Sequence, residues 1–109
     1  MKVIALPEVQ QYLQNLKEIL FQNEYFGFED SANKYVDDLF DDIEITLPIR
    51  QHKPAPKYFD KYGKKMKYAG FNKNKHTTWY AFFTTYKEND EIIYLVRYIA
   101  NNHTIAQYL

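Results

Sequence analysis

Apolar side chains recur along this chain with two different periods. From Val9 they return at Leu13, Leu16 and Leu20, with Tyr12 and Ile19 widening the stripe, which is the spacing of an amphipathic helix. Pro7 suits a first helical position because its missing N–H would be unpaired there, and Glu8 favours the positive end of the helix dipole. A helix is therefore predicted from Pro7 to about Phe21. A second stripe, Ala32, Tyr35, Val36, Leu39, Phe40 and Ile43, opposes a polar side holding Asp37, Asp38, Asp41 and Asp42. Asp30 or Ser31 is the expected cap of this helix and Pro48 its stop. In the link between the helices, Gly27 lies between Phe26 and Phe28, predicting an aromatic turn tucked under them.

Beyond Lys64 the helical period disappears. Three runs dense in β-branched and aromatic residues, KKMKYAGFN, KHTTWYAFFTTYK and DEIIYLVRYIAN, are broken at Lys73-Asn74 and at Glu88-Asn89-Asp90. They predict three antiparallel strands joined by short hairpins. The middle run, apolar on both faces from Trp79 to Phe83, is the expected central strand, with one face covered and the other turned to a groove or a partner. Alternation along the first run sets Lys65, Lys67, Ala69 and Phe71 on one face and Met66, Tyr68 and Gly70 on the other, which points Lys65 and Lys67 together to the open face. Lys2 to Leu6 is a further short strand ahead of the helices. Ile49 to Gly63, with Pro54 and Pro56, is excluded from helix interiors and central strands and reads as an extended basic connector. Asn102 to Leu109 either packs back as one helical turn through Ile105, Tyr108 and Leu109 or frays.

These elements define one α+β domain over residues 1–109. An N-terminal strand and a two-helix hairpin pack on one face of a small antiparallel sheet, in the order β-α-α-β-β-β. The formal net charge is zero, but its distribution is uneven. Residues 1–49 carry ten acidic side chains against three lysines, and residues 50–76 carry nine basic side chains against Asp60 alone. Such segregation points to a polyanionic partner for the basic part, or to charges that pair across the fold. The chain has no cysteine, so disulfides, thiolate chemistry and cysteine zinc sites are excluded. The opening MKVIALP is too short for a signal-peptide core, so a cytoplasmic protein is expected.

His52, His76 and His103 show no metal-ligand spacing, and with three glycines there is no phosphate-cradling loop, so neither metal nor cofactor is expected. Asp37 with Asp41 and Asp38 with Asp42 read as a solvated helix face. The basic stretch says more. Lys61, Lys64, Lys65, Lys67, Lys73 and Lys75 alternate with Tyr58, Tyr62, Tyr68 and Phe71, a mixture that binds nucleic acid by charge and bases by stacking. Within it, Lys64, Lys65, Lys67, Lys73 and Lys75 are the candidate nucleic-acid contacts. Cations that stabilise a pentacovalent phosphate, with a group that moves the 2′-OH proton, suffice for metal-free RNA cleavage. The rings of Trp79 or Tyr80 and of Phe83 or Tyr86 are candidates to receive a partner helix.

The order of elements, with Lys75-His76-Thr77-Thr78-Trp79-Tyr80-Ala81-Phe82-Phe83 and Tyr94-Leu95-Val96-Arg97-Tyr98-Ile99, resembles the RelE/ParE superfamily of bacterial toxins over nearly the whole chain. The resemblance implies the toxin of a type II toxin–antitoxin pair, acting on ribosome-bound mRNA or on DNA gyrase and neutralised by a small antitoxin protein. It makes Lys73, Lys75, His76, Arg97 and His103 the candidate catalytic residues. Arg97 is alternatively a half-buried arginine paired with a helix carboxylate, sharing a strand face with Leu95 and Ile99. Thr78-Trp79-Tyr80 holds no arginine where ribonuclease members carry one. The second reading is thus a non-enzymatic or degenerate relative whose main property is binding an antitoxin or other partner.

Overall fold

In the computed structural model, which describes residues 1–22 and 29–109, the chain enters through β1 (Lys2–Ala5), with Val3 and Ala5 buried and Lys2 exposed. Helix α1 (Pro7–Gln22) follows at once and buries Val9, Leu13 and Leu16. Helix α2 (Glu29–Thr46) buries Ala32, Val36, Leu39 and Ile43. Asp30 and Ser31, the expected caps, lie inside its first turn, and the expected Gly27 turn falls outside the described residues. A 3-10 turn at Leu47–Ile49 containing Pro48 ends the hairpin.

The sheet has five strands in the order β1-β5-β4-β3-β2. β3 (Lys67–Asn74), β4 (Thr77–Glu88) and β5 (Glu91–Asn101) form the antiparallel meander, with β4 central as the pattern requires. Two features differ from the expected antiparallel sheet. β1 joins β5 in parallel, Lys2 opposite Ile93 and Ala5 opposite Val96, because the helical hairpin is a crossover long enough to return the chain in the same direction. The connector adds β2 (Lys53–Pro54) to the far edge, where a proline is tolerated. The sheet is therefore mixed.

The hairpins also refine the expectation. β3 runs on through Lys73 and Asn74 and turns at Lys75-His76, because a bulge between Asn72 and Asn74 absorbs Lys73 without ending the strand. Asn89 and Asp90 both have positive φ, 52° and 64°, and join β4 to β5 as a two-residue turn matched to the strand twist.

β4 is buried on both faces, and each face has its own core. Trp79, Ala81 and Phe83 pack with Phe71, Val96 and Ile99 under the helices. Phe82 packs with Phe59, Met66, Ala100 and Ile105 on the other side. The face expected to be open is thus partly covered by the chain itself. A 3-10 turn over Lys57–Lys61 inserts Phe59, whose ring stacks on Phe82 at 4.4 Å. The C-terminal helical turn α3 (Asn102–Ile105) inserts Ile105, and Tyr108 stacks on Tyr58 at 3.7 Å, so the tail packs back.

Asp42 departs from the solvated helix face expected of it. Arg50 Nη2 donates to both its carboxylate oxygens, at 3.1 and 3.0 Å. Nε of the same guanidinium donates to Thr46 Oγ1, Nη1 donates to the Gly70 carbonyl, and its plane lies 4.1 Å from the Phe71 ring centroid. One arginine thus ties the end of α2 to β3. Lys17 and Asp37 pair at 2.8 Å between the helices.

Phe59→Ala is expected to lower the unfolding free energy by about 3–5 kcal/mol, the usual cost of emptying an aromatic core site. Urea denaturation followed by tyrosine fluorescence would measure it. A loss under about 1 kcal/mol would mean that the 57–61 turn does not cover the sheet.

Candidate nucleic-acid interface

Side-chain hydrogen bonds, more than regular structure, shape the end of the sheet where β3 turns into β4. Asn74 Oδ1 accepts the His76 backbone N–H at 2.8 Å, which tightens the turn. Asn102 clamps the turn to α3: its Oδ1 accepts from the Thr78 N–H at 2.9 Å and its Nδ2 donates to the His76 carbonyl at 3.1 Å. Asn101 caps α3 by accepting from the His103 N–H at 3.0 Å. His103 is thereby brought to β4, with Nε2 3.1 Å from Thr77 Oγ1. Lys73, Lys75, His76 and His103, four of the five candidate catalytic residues, share this end of the molecule.

A cleft of about 710 Å³ opens beside them between α1 and the sheet, lined by Tyr12, Leu16 and Ile19 on one side and by Asn74, Thr77 and His103 on the other. Its floor is Trp79, whose Nε1 donates to Tyr35 Oη at 3.0 Å, and the Lys73 ammonium sits 4.8 Å from the Tyr35 ring centroid. The carboxamide oxygens of Asn74 and Asn101 already accept hydrogen bonds, which leaves their Nδ2 groups as donors. With Lys73, the rim is weighted toward donors, and it suits ligands rich in acceptors, such as phosphates and base edges.

Arg97 lies elsewhere. A bulge in β5 interrupts the ladder between Phe82 opposite Tyr98 and Phe83 opposite Val96, leaving Arg97 as the extra residue. The slip moves Ile99 into the core beneath the helices, while Arg97 turns to the opposite face and donates from Nε to Thr84 Oγ1 at 2.9 Å. The expected face shared with Ile99 and the expected helix carboxylate are both replaced, by the bulge and by Thr84. Arg97 lines a second cleft with Glu8, Tyr12, Lys61, Tyr62 and Tyr98.

The expected nucleic-acid lysines divide. Lys64 and Lys65 precede β3, Lys65 in the left-handed region at φ 58°. Lys67 opens the strand in register with Ala69 and Phe71, the row that belongs to the helix-side core. Lys65 and Lys67 therefore do not point together to the open face, since alternation begins only at Lys67. At about 3.3 Å per strand residue, this group is roughly 25 Å from Lys75. Of the expected partner-binding rings, Trp79 and Phe83 are 2% and 1% exposed beneath the helices, whereas Tyr80 and the exposed Tyr86 lie on the opposite face of β4. Tyr35, Thr77 and Asn101 enter the first cleft with no signal in the sequence, because the separations that join its walls reach 44 residues, while Lys61, part of the basic stretch, lines the second.

Burial pushes the Tyr12 hydroxyl upward, and burial reinforced by the Tyr62 hydroxyl pushes Tyr98 further in the same direction. The Lys61 ammonium, with a smaller contribution from Tyr108, lowers Tyr58. Among the described residues no group of three metal-ligating side chains comes together. None of the helices is long and apolar enough to cross a membrane among the same residues. Comparison with protein-family models, with curated proteins and with solved structures finds no match.

The raised Tyr98 hydroxyl gives a signed pH dependence. Its contribution to stability is complete below the unfolded value of 10.0 and is lost as pH rises from there toward the folded value. Wild type is expected to lose stability above about pH 10 more steeply than Tyr98→Phe, read by thermal unfolding between pH 8 and 11. Parallel curves would remove Tyr98 from the account.

Proposed function

We propose that this chain is a RelE/ParE-type toxin that cleaves ribosome-bound mRNA without a metal and is held inactive by a small antitoxin protein. The observation that carries the reading is the position of His103, held by Asn101 and Thr77 at the rim of an aromatic-floored cleft, with Lys73 against its Tyr35 ring and Lys75 and His76 in the adjoining turn between Asn74 and Thr77. In this reading a base enters the cleft between Tyr12 and His103, and His103 takes the proton of the 2′-OH. The 2′-oxygen attacks the adjacent phosphorus, Lys73 and Lys75 stabilise the charge on the phosphorane, and the P–O5′ bond breaks. The products are a 2′,3′-cyclic phosphate and a 5′-oxygen that takes a proton from solvent.

A second reading, a non-enzymatic binder or gyrase inhibitor, is favoured by one feature: Arg97 and His103 lie in separate clefts instead of converging on one atom.

Induction of the chain alone in a bacterial cell separates these readings, with growth, mRNA 3′-ends and plasmid supercoiling followed in one culture. Growth arrest with cut mRNA is expected. His103→Ala should reduce cutting by about 10²–10⁴-fold, as loss of a proton-transfer group does, and Lys75→Ala by a smaller factor. Arrest with intact mRNA and altered supercoiling would move the target to gyrase. Normal growth with folded protein present would leave a binding relative.

A further inference from the structure

The second cleft, of about 410 Å³, lies at the outer edge of β5 just past the end of β1. Leu6 makes the last bond of that parallel pairing, its N–H donating to the Val96 carbonyl at 3.0 Å, and α1 then leaves the strand. The bulge that follows re-aims Arg97, and Thr84 fixes its Nε, so the two Nη groups remain as a fork without a partner among the described residues. A glycine makes room for the arginine. A Cβ on Gly63 would stand 2.7 Å from Arg97 Cδ and 3.2 Å from Met66 Sδ.

Lining the same cleft are the Tyr62 and Tyr98 rings, stacked at 3.8 Å, and the Lys61 side chain, whose ammonium lies 4.2 Å from the Tyr58 ring centroid and 5.4 Å from that of Tyr62. Tyr98 is held protonated by its surroundings and so keeps its hydroxyl hydrogen. Glu8 lines the same cleft, yet it makes no ion pair within 4.0 Å with either cation among the described residues. The chain's other arginine, Arg50, shows what a satisfied guanidinium looks like here: every donor group is engaged, with Asp42, Thr46 and Gly70 as partners. Arg97, aimed by a bulge and a glycine into a cleft that Lys61 also lines, lacks that anion.

We propose that the Arg97 cleft is a phosphate-binding site, and that it holds a phosphodiester of the same RNA strand whose base enters the His103 cleft. Tyr12 lines both clefts, so they adjoin along α1. The phosphate site stands on its own geometry, and its assignment to RNA rests on the function proposed above. Arg97 then positions the strand from outside the reacting centre, and the separation of the two clefts sets the shortest RNA that engages both.

The test uses the full chain and two probes. Inorganic phosphate, titrated at constant ionic strength, is expected to shift the NMR signals of Arg97 Nε–H and the Gly63 amide saturably. Arg97→Gln should abolish the shift. Gly63→Ala, which changes no charge, should weaken it, and Glu8→Gln should tighten binding several-fold by removing a like charge. Uncleavable 2′-O-methyl RNAs of two to ten nucleotides should gain affinity at the length that reaches both clefts. Arg97→Gln should erase that step and reduce the salt slope by about one, while His103→Ala should keep it. No phosphate-specific shift, or an unchanged length step and salt slope in folded Arg97→Gln protein, would overturn the proposal. Retained phosphate and oligonucleotide binding in a protein that never cuts RNA would instead sink the ribonuclease reading and leave this site standing.

Discussion

The structure depends on burying both faces of β4. A strand with Trp79, Ala81 and Phe83 on one side and Tyr80 and Phe82 on the other cannot sit at a surface, since each large ring left in water forfeits about 1.5–3 kcal/mol of transfer free energy. The helical hairpin satisfies one face in the ordinary way of an α+β domain. Among the described residues no second hairpin covers the other, and the chain closes it with two minimal pieces, the turn at Lys57–Lys61 and the last turn of the tail. Phe59 and Ile105 are the only side chains these pieces contribute to the fully buried part of that core, so each carries a large share of it.

This economy explains the aromatic character of the far face. Rings cover more area per residue than aliphatic chains, and stacked tyrosines leave their hydroxyls at the rim. Tyr62 on Tyr98 and Tyr58 on Tyr108 extend the small core outward. Lys61, 4.2 Å from the Tyr58 ring centroid, binds the rim electrostatically. Tyr62, Tyr98 and Lys61 of this layer also wall the Arg97 cleft, so the layer that closes the fold also builds a concave surface.

The chain's two arginines illustrate how charge divides between structure and function. Arg50 and Asp42 belong to the oppositely charged segments of the chain and meet where α2 ends against β3. Part of the charge segregation is therefore consumed in pairing across the fold. Arg97, Lys75 and Lys61 form no ion pair among the described residues and stand at clefts or turns instead. Two bulges, at Lys73 and at Arg97, reach these positions by adding one residue to a strand, which re-aims a side chain at the cost of a ladder bond.

The helices, the three-strand meander and the central place of β4 were legible because each rests on a period: 3.6 for Val9, Leu13 and Leu16, and 2 for the row through Trp79, Ala81 and Phe83. Turn chemistry was equally local, as Asn89-Asp90 shows. What the sequence could not determine is everything that depends on phase. A one-residue bulge reverses the faces downstream, so Arg97 and Ile99, two apart in sequence, ended on opposite sides. The start of β3 at Lys67 and not Lys64 likewise decided that its lysines follow the core row. The parallel entry of β1, the cover provided by Phe59, and the meeting of Thr77 with His103 and Tyr35 with Trp79 required the tertiary structure. Those contacts join residues 23 to 91 positions apart, and no local preference specifies which distant partner will fill a given space.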